Sequence, residues 1–176
     1  MKNHRFKCFR RLGSGFTLLE LLLVMAVTSV LFTVAWSALR NYIPNEDVRQ
    51  VALQLQTGLL MARSEAVKTS NNVYLTASAN GYIDGWAIST NQARTFEDCV
   101  TSANSDCVFV YQNDRPISFS GEVAQVVYDR QGRLPLGNNL DVEVCDGDES
   151  SYVTKRTVVV NSSGFPKIIA EGDCLP

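Results

Sequence analysis

The chain has one histidine, His4, and none from residue 5 to residue 176. A serine or cysteine nucleophile needs a neighbouring base, and histidine usually supplies it, so triad chemistry is excluded from the body of the chain. There is no Cys-x-x-Cys pair, and without histidine the cysteines do not make a zinc-type ligand set. Glycine-rich phosphate loops and dinucleotide fingerprints are missing as well. Asp146, Asp148 and Glu149 share a glycine-containing loop. Their spacing falls short of a complete calcium loop and reads as a solvated acidic turn. The expectation is a protein that is not an enzyme and carries no cofactor and no metal.

Charge is nearly absent from one long stretch. Between Phe16 and Leu39 the only ionisable side chain is Glu20. These 24 residues rise roughly 36 Å as a helix, enough to cross a bilayer core with some tilt. Ahead of them Lys2, Arg5, Lys7, Arg10 and Arg11 stand without an acidic residue, which holds the N-terminus in the cytoplasm and points the helix outward. This basic leader also distorts the overall charge. The whole chain is −2, but residues 16–176 keep 11 of the 16 basic residues and all 18 acidic ones, 11 − 18 = −7. An acidic body argues against broad binding of nucleic acid or anionic membranes.

A secretory signal places its small-residue cleavage site beyond the apolar run. Here the clearest small-residue break, Gly13-Ser14-Gly15, precedes it, so cleavage there would leave the hydrophobic helix on the mature protein. Cleavage near Ala35-Trp36-Ser37-Ala38, or an uncut signal anchor, is the alternative, and neither explains Glu20. A carboxylate in a membrane helix costs a few kcal/mol unless it has a partner or reaches the headgroups. Cleavage after Gly15 would give Phe16 a free ammonium four residues before Glu20. Between packed copies of such helices, the carboxylate of one could meet the ammonium of the next. That pairing would remove both desolvation costs and fix the axial register.

The basic leader, Gly15, Phe16-Thr17-Leu18-Leu19-Glu20 and the long apolar helix together resemble the class III signal of type IV pilins and type II secretion pseudopilins. The resemblance implies that a prepilin peptidase cuts after Gly15 and methylates the new N-terminal Phe16. It further implies that Glu20 serves filament assembly, and that the protein resides in the bacterial inner membrane with its head in the periplasm until it joins a pilus or pseudopilus. The implied partners are the peptidase/methyltransferase, other minor pilins, and the major pilin or pseudopilins.

Residues 41–176 number 136, enough for one core and one domain. Cys8 falls in the leader, which leaves Cys99, Cys107, Cys145 and Cys174 for an oxidising compartment. Of their three possible pairings, the favoured one joins Cys99 to Cys107 across a short polar loop and Cys145 to Cys174 at the tail.

Pro44 removes a backbone donor and disfavours helix at Ile43, so a kink or short break is expected there, with Asn45 or a neighbour capping a second segment. Val48, Ala52, Leu55, Leu59, Ala62 and Ala66 then recur at spacings of four and three, an amphipathic helix to about Thr69. Gly58 weakens it but suits a close approach. Met61-Ala62-Arg63-Ser64-Glu65-Ala66-Val67 resembles a signature of the GspH/FimT family of minor pilins and pseudopilins. Short β-type runs follow, at 72–77, 85–89, 108–112, 117–120, 125–128, 141–145, 154–160 and 167–170, with turns at Asn80-Gly81, Gln131-Gly132 and Ser163-Gly164. Trp86 reads as a core aromatic.

Helix first and strands after make an α+β order. With the resemblance, this implies a type IV pilin fold. Its parts are a leader over 1–15, a transmembrane and filament-core helix over 16–40, an amphipathic helix over 41–70 and a β-rich head over 71–176.

Three functions fit this reading. The first is a minor pilin that primes or caps a type IV pilus, and the second is a GspH-like pseudopilin of type II secretion. The third is DNA capture, which FimT-like members perform through a Gly-Arg-x-Arg motif. This chain aligns there as Gly164-Phe165-Pro166-Lys167, without the arginine fork that grips phosphate. Arg130, Arg133, Lys155 and Arg156, with Lys167, would have to supply another patch.

Overall fold

The computed structural model describes residues 16–101, 105–121, 123–135, 139–147 and 153–174, with backbone alone at 37, 38, 40 and 41. His4, Cys8, Gly15 and the rest of the leader lie outside the described residues, as do Asp148 and Glu149. The first element is helix α1, Leu18–Thr69, 52 residues long. It starts where the sequence supplies a cap, because the Thr17 hydroxyl accepts a hydrogen bond from the Glu20 N–H at 3.2 Å. It ends at Ser70, whose φ of 54° is the left-handed conformation that closes helices.

The expected break at Pro44 does not occur: Pro44 sits inside an uninterrupted helix. Proline removes one donor, and the bonds on either side hold the helical path. Asn45 is consequently no helix cap. Its Oδ1 instead accepts the backbone N–H of Thr154 at 2.9 Å, tying the helix to a strand far along the chain.

The chain divides into two compact units, Met1–Leu39 and Arg40–Pro176. In the first, the segment Leu18–Trp36 has a mean hydropathy of 2.3, has none of its surface buried, and is long and apolar enough to cross a membrane. Its hydroxyls return to the helix backbone. Thr28 donates to the Val24 carbonyl at 2.9 Å, Ser29 to Ala26 at 2.8 Å and Thr33 to Val30 at 2.7 Å. A helix that satisfies its own polar groups suits hydrocarbon, where water is not available to do so.

Among the described residues, the second unit holds two four-stranded antiparallel sheets. Its elements are β1 (Val73–Ser78), β2 (Gly81–Ser89), α2 (Phe96–Thr101), β3 (Cys107–Gln112), β4 (Ile117–Ser120), β5 (Gln125–Tyr128), β6 (Leu140–Asp146), β7 (Thr154–Val160) and β8 (Pro166–Asp173). The strand orders are β3-β2-β1-β5 and β4-β6-β7-β8. Both sheets meet the second half of α1 in one core. All six stripe residues, Val48, Ala52, Leu55, Leu59, Ala62 and Ala66, are fully buried with Val51. They pack among Leu75, Trp86, Ile88, Tyr128, Val142, Val144, Val158 and Val160. Gly58 lets the helix approach closely, since a Cβ there would stand 2.7 Å from the Trp86 indole nitrogen. Trp86 is fully buried and stacked on Tyr111 with centroids 4.3 Å apart, a core aromatic.

Cys99 bonds to Cys107, joining α2 to β3, and Cys145 to Cys174, joining the end of β6 to the residue after β8. The second bond brings the two Cα atoms to 5.6 Å, and the Cys174 N–H also donates to the Val153 carbonyl at 2.9 Å.

Candidate assembly surface and head junction

Phe16 and Glu20 lie at the start of α1. Phe16 is exposed, as are the apolar side chains that follow it, among them Leu18, Leu19, Leu22, Leu23, Val27 and Leu31. Thr17 and Glu20 have the spacing of a capping box, and the bond from the Glu20 N–H to the Thr17 hydroxyl is formed, so one threonine caps the turn that carries the carboxylate. Such a helix places one acid at the end of a long apolar cylinder, close to the N-terminal partial positive charge. Chemically it can pack against similar helices and accept one cation at a fixed height.

The far end of α1 locks two turns of the head. Arg63 donates from Nε to the Gly132 carbonyl at 2.9 Å, and its guanidinium carbon lies 3.7 Å over the Phe165 ring. Gly164, at φ +78°, is packed so tightly that a Cβ would run into the same Gly132 carbonyl. The turn at 129–133 is closed by Asp129, whose carboxylate accepts the Gln131 and Arg133 N–H groups at 2.9 and 2.8 Å. The conspicuous helix sequence around Arg63 and the distant Gly164-Phe165 are thus two sides of one junction.

This geometry divides the residues of the alternative basic patch among different sites. Phe165, at the position of the first arginine of the DNA-binding motif, lies beneath Arg63, which is committed to Gly132. Arg133 pairs with Asp129 at 3.5 Å, and Lys155 with Glu143 at 2.7 Å. Arg130 lines a separate polar pocket with Ser70, Asn71, Asn72, Tyr74 and Thr90. Lys155 and Arg156 are consecutive on β7 and so belong to opposite faces of the strand. Only Arg156 and Lys167 line a common groove, beside α1, and Arg49 lines it too. Sequence reasoning does not reach Arg49, because 107 residues separate it from Arg156 (156 − 49) and no local pattern links them.

The Lys155 hydrogen bond holds the Glu143 carboxyl below its ordinary range, helped by Ser120 against a smaller opposing effect of burial. Glu97 is lowered chiefly by its own backbone N–H and that of Ala79. Burial raises the Tyr128 phenol far above its usual value. No set of three or more His, Cys, Asp or Glu residues is placed to hold a metal among the described residues.

Two family models match the chain. The type II transport protein GspH model covers residues 51–164, and the prokaryotic N-terminal methylation motif covers 10–36. No curated protein matches in overall sequence. The head is similar in fold to the type IV minor pilin FimU of Pseudomonas aeruginosa in two crystal forms. In the P21 form the TM-score is 0.54 at 15% identity, covering 72% of this chain and 90% of that one. In the P65 form it is 0.51 at 17% identity, covering 70% and 92%. The methylation motif implies a processing peptidase and methyltransferase, and together with the single apolar helix and the pilin-like fold it supports a single-pass inner-membrane topology before assembly. With the GspH model spanning well over half its length, the chain belongs to the GspH family, whose pilin-like fold it shares, and so to the subunits of pilus-type assemblies.

Proposed function

We propose that this chain is a minor pilin of a type IV pilus, one that primes assembly or sits at the filament tip. The supporting observation is the combination of a Thr17-capped, Glu20-bearing exposed apolar helix with a head whose fold is that of FimU. Cleavage after Gly15 frees the Phe16 amine, and methylation of that amine completes the mature N-terminus. The helix leaves the bilayer for a bundle of like helices, where Glu20 accepts the N-terminal ammonium of a neighbour. Neither charge remains unpaired in an apolar environment, and register is set to within a helical turn. The head stays periplasmic until extrusion.

A type II secretion pseudopilin is the second reading, favoured by the name of the matching family model. Counting surface pili on cells that lack the protein separates the two. Loss or sharp reduction of pili supports a priming minor pilin. Normal piliation with a secretion defect overturns that reading in favour of the pseudopilin.

A further inference from the structure

The groove beside α1 gathers three cations, two of which have no carboxylate partner among the described residues. Arg49, Leu53 and Gln56 come from one flank of α1, Arg156 from β7, and Lys167 and Ile168 from β8, enclosing about 380 Å³. Three of the 11 basic residues of 16–176 meet here, in a body of net charge −7. Arg94, Arg115, Arg133, Lys68 and Lys155 each have a carboxylate partner. Among the described residues neither Arg156 nor Lys167 has one, and Arg49 has only Glu46, one turn away at 3.4 Å. The Arg156 Nε is buried with no acceptor, although a guanidinium hydrogen is costly to leave unbonded.

The groove also carries two further signs of its occupant. Its lining includes apolar Leu53, which is exposed, and half-buried Ile168. Its rim is β8, which ends its sheet and pairs only with β7 among the described residues, with Gln56 of α1 donating to the Pro166 carbonyl at the strand's start. An unpaired strand edge accepts an extended chain, with main-chain hydrogen bonds giving affinity and side-chain pockets giving selection. The net charge of −7 over residues 16–176 argues against nucleic acid as the occupant.

We propose that this groove docks an extended acidic and apolar segment from the head of a neighbouring filament subunit, its carboxylates meeting Arg49, Arg156 and Lys167. The proposal rests on the filament-subunit reading. It is tested in full-length protein in cells that make the filament, with a photo-crosslinking residue at Leu53 in the groove or at Leu22 in the apolar helix. The expected result is a Leu53 product that mass spectrometry assigns to an Asp- or Glu-bearing segment of another pilin head. Its yield should fall at least tenfold in the Arg49→Gln, Arg156→Gln, Lys167→Gln variant. Lys167→Glu, a change at an exposed position, should lower it as well and guards against misfolding of the triple variant. A Leu22 product with no Leu53 product overturns the proposal and leaves the subunit reading standing. Loss of both overturns both. A Leu53 product with DNA, lipid or a segment lacking acidic residues overturns the proposal, as does a yield unchanged by the substitutions.

Discussion

At the scale of single residues, Glu20 and Gly58 make opposite demands on α1. Glu20 costs stability in an apolar surround until a cation meets it. Glu20→Ala should therefore give protein that is processed and inserted but not recovered in sheared filaments, and wild-type recovery would refute ammonium pairing. Gly58 is a weak helix former retained where Trp86 comes close. Gly58→Ala gains about 1 kcal/mol in helix propensity. It also drives a methyl into an indole pinned between the helix and Tyr111, and overpacking costs about 1–3 kcal/mol. The expected net effect is a lower denaturation midpoint of the head. Glu143 gives a pH signature. Because its folded-state pKa is depressed, its contribution is present above the unfolded carboxylate pKa near ~4.3 and is lost as pH falls through the lower folded value. Glu143→Gln should flatten the acid side of the stability profile, which thermal unfolding between neutral and acid pH would measure.

At the scale of elements, the two disulfides should differ in worth. The Cys145–Cys174 bond closes a separation of 29 residues and the Cys99–Cys107 bond one of 8. Chain-entropy scaling assigns about 3.6 and about 2.5 kcal/mol respectively. Serine replacement of the 145–174 pair should therefore lower stability more, by about 1 kcal/mol on that scaling, in denaturant titrations of the two double variants. Elements defined by periodicity or turn residues are legible in the amino-acid sequence itself. The stripe from Val48 to Ala66 is wholly buried, and β4, β5 and β7 begin and end at the expected residues. Helix α2 escapes a periodicity reading because six residues are too few to carry one. A local signal does exist, since Thr95 and Asp98 form a reciprocal capping box with bonds of 3.2 and 3.1 Å. The break expected at Pro44 fails because a local backbone rule takes no account of the packing and hydrogen bonds that hold the next turns. The groove is illegible for a different reason. Strand register and helix docking, neither of which has a short-range signature, bring its three cations together.

At the scale of the whole molecule, the second unit contains its own core, both disulfides and both sheets. Removal of residues 1–40 should leave a soluble monomer with near-native β content by circular dichroism and a single sedimenting species. Aggregation or loss of β signal would show that the head depends on its neighbours. The head also meets α1 at well-separated points. Asn45 holds Thr154, Gln56 donates to the Pro166 carbonyl at 3.2 Å, and Arg63 holds Gly132. From 45 to 63 the helix rises about 27 Å, so a pull along its axis loads these ties together, in shear, rather than one after another as in peeling. A head fastened in this way should resist axial tension far better than a sideways force on the tail beyond Cys174. In a single-molecule stretching experiment, rupture force should therefore depend more on the direction of pulling than on the head's equilibrium stability.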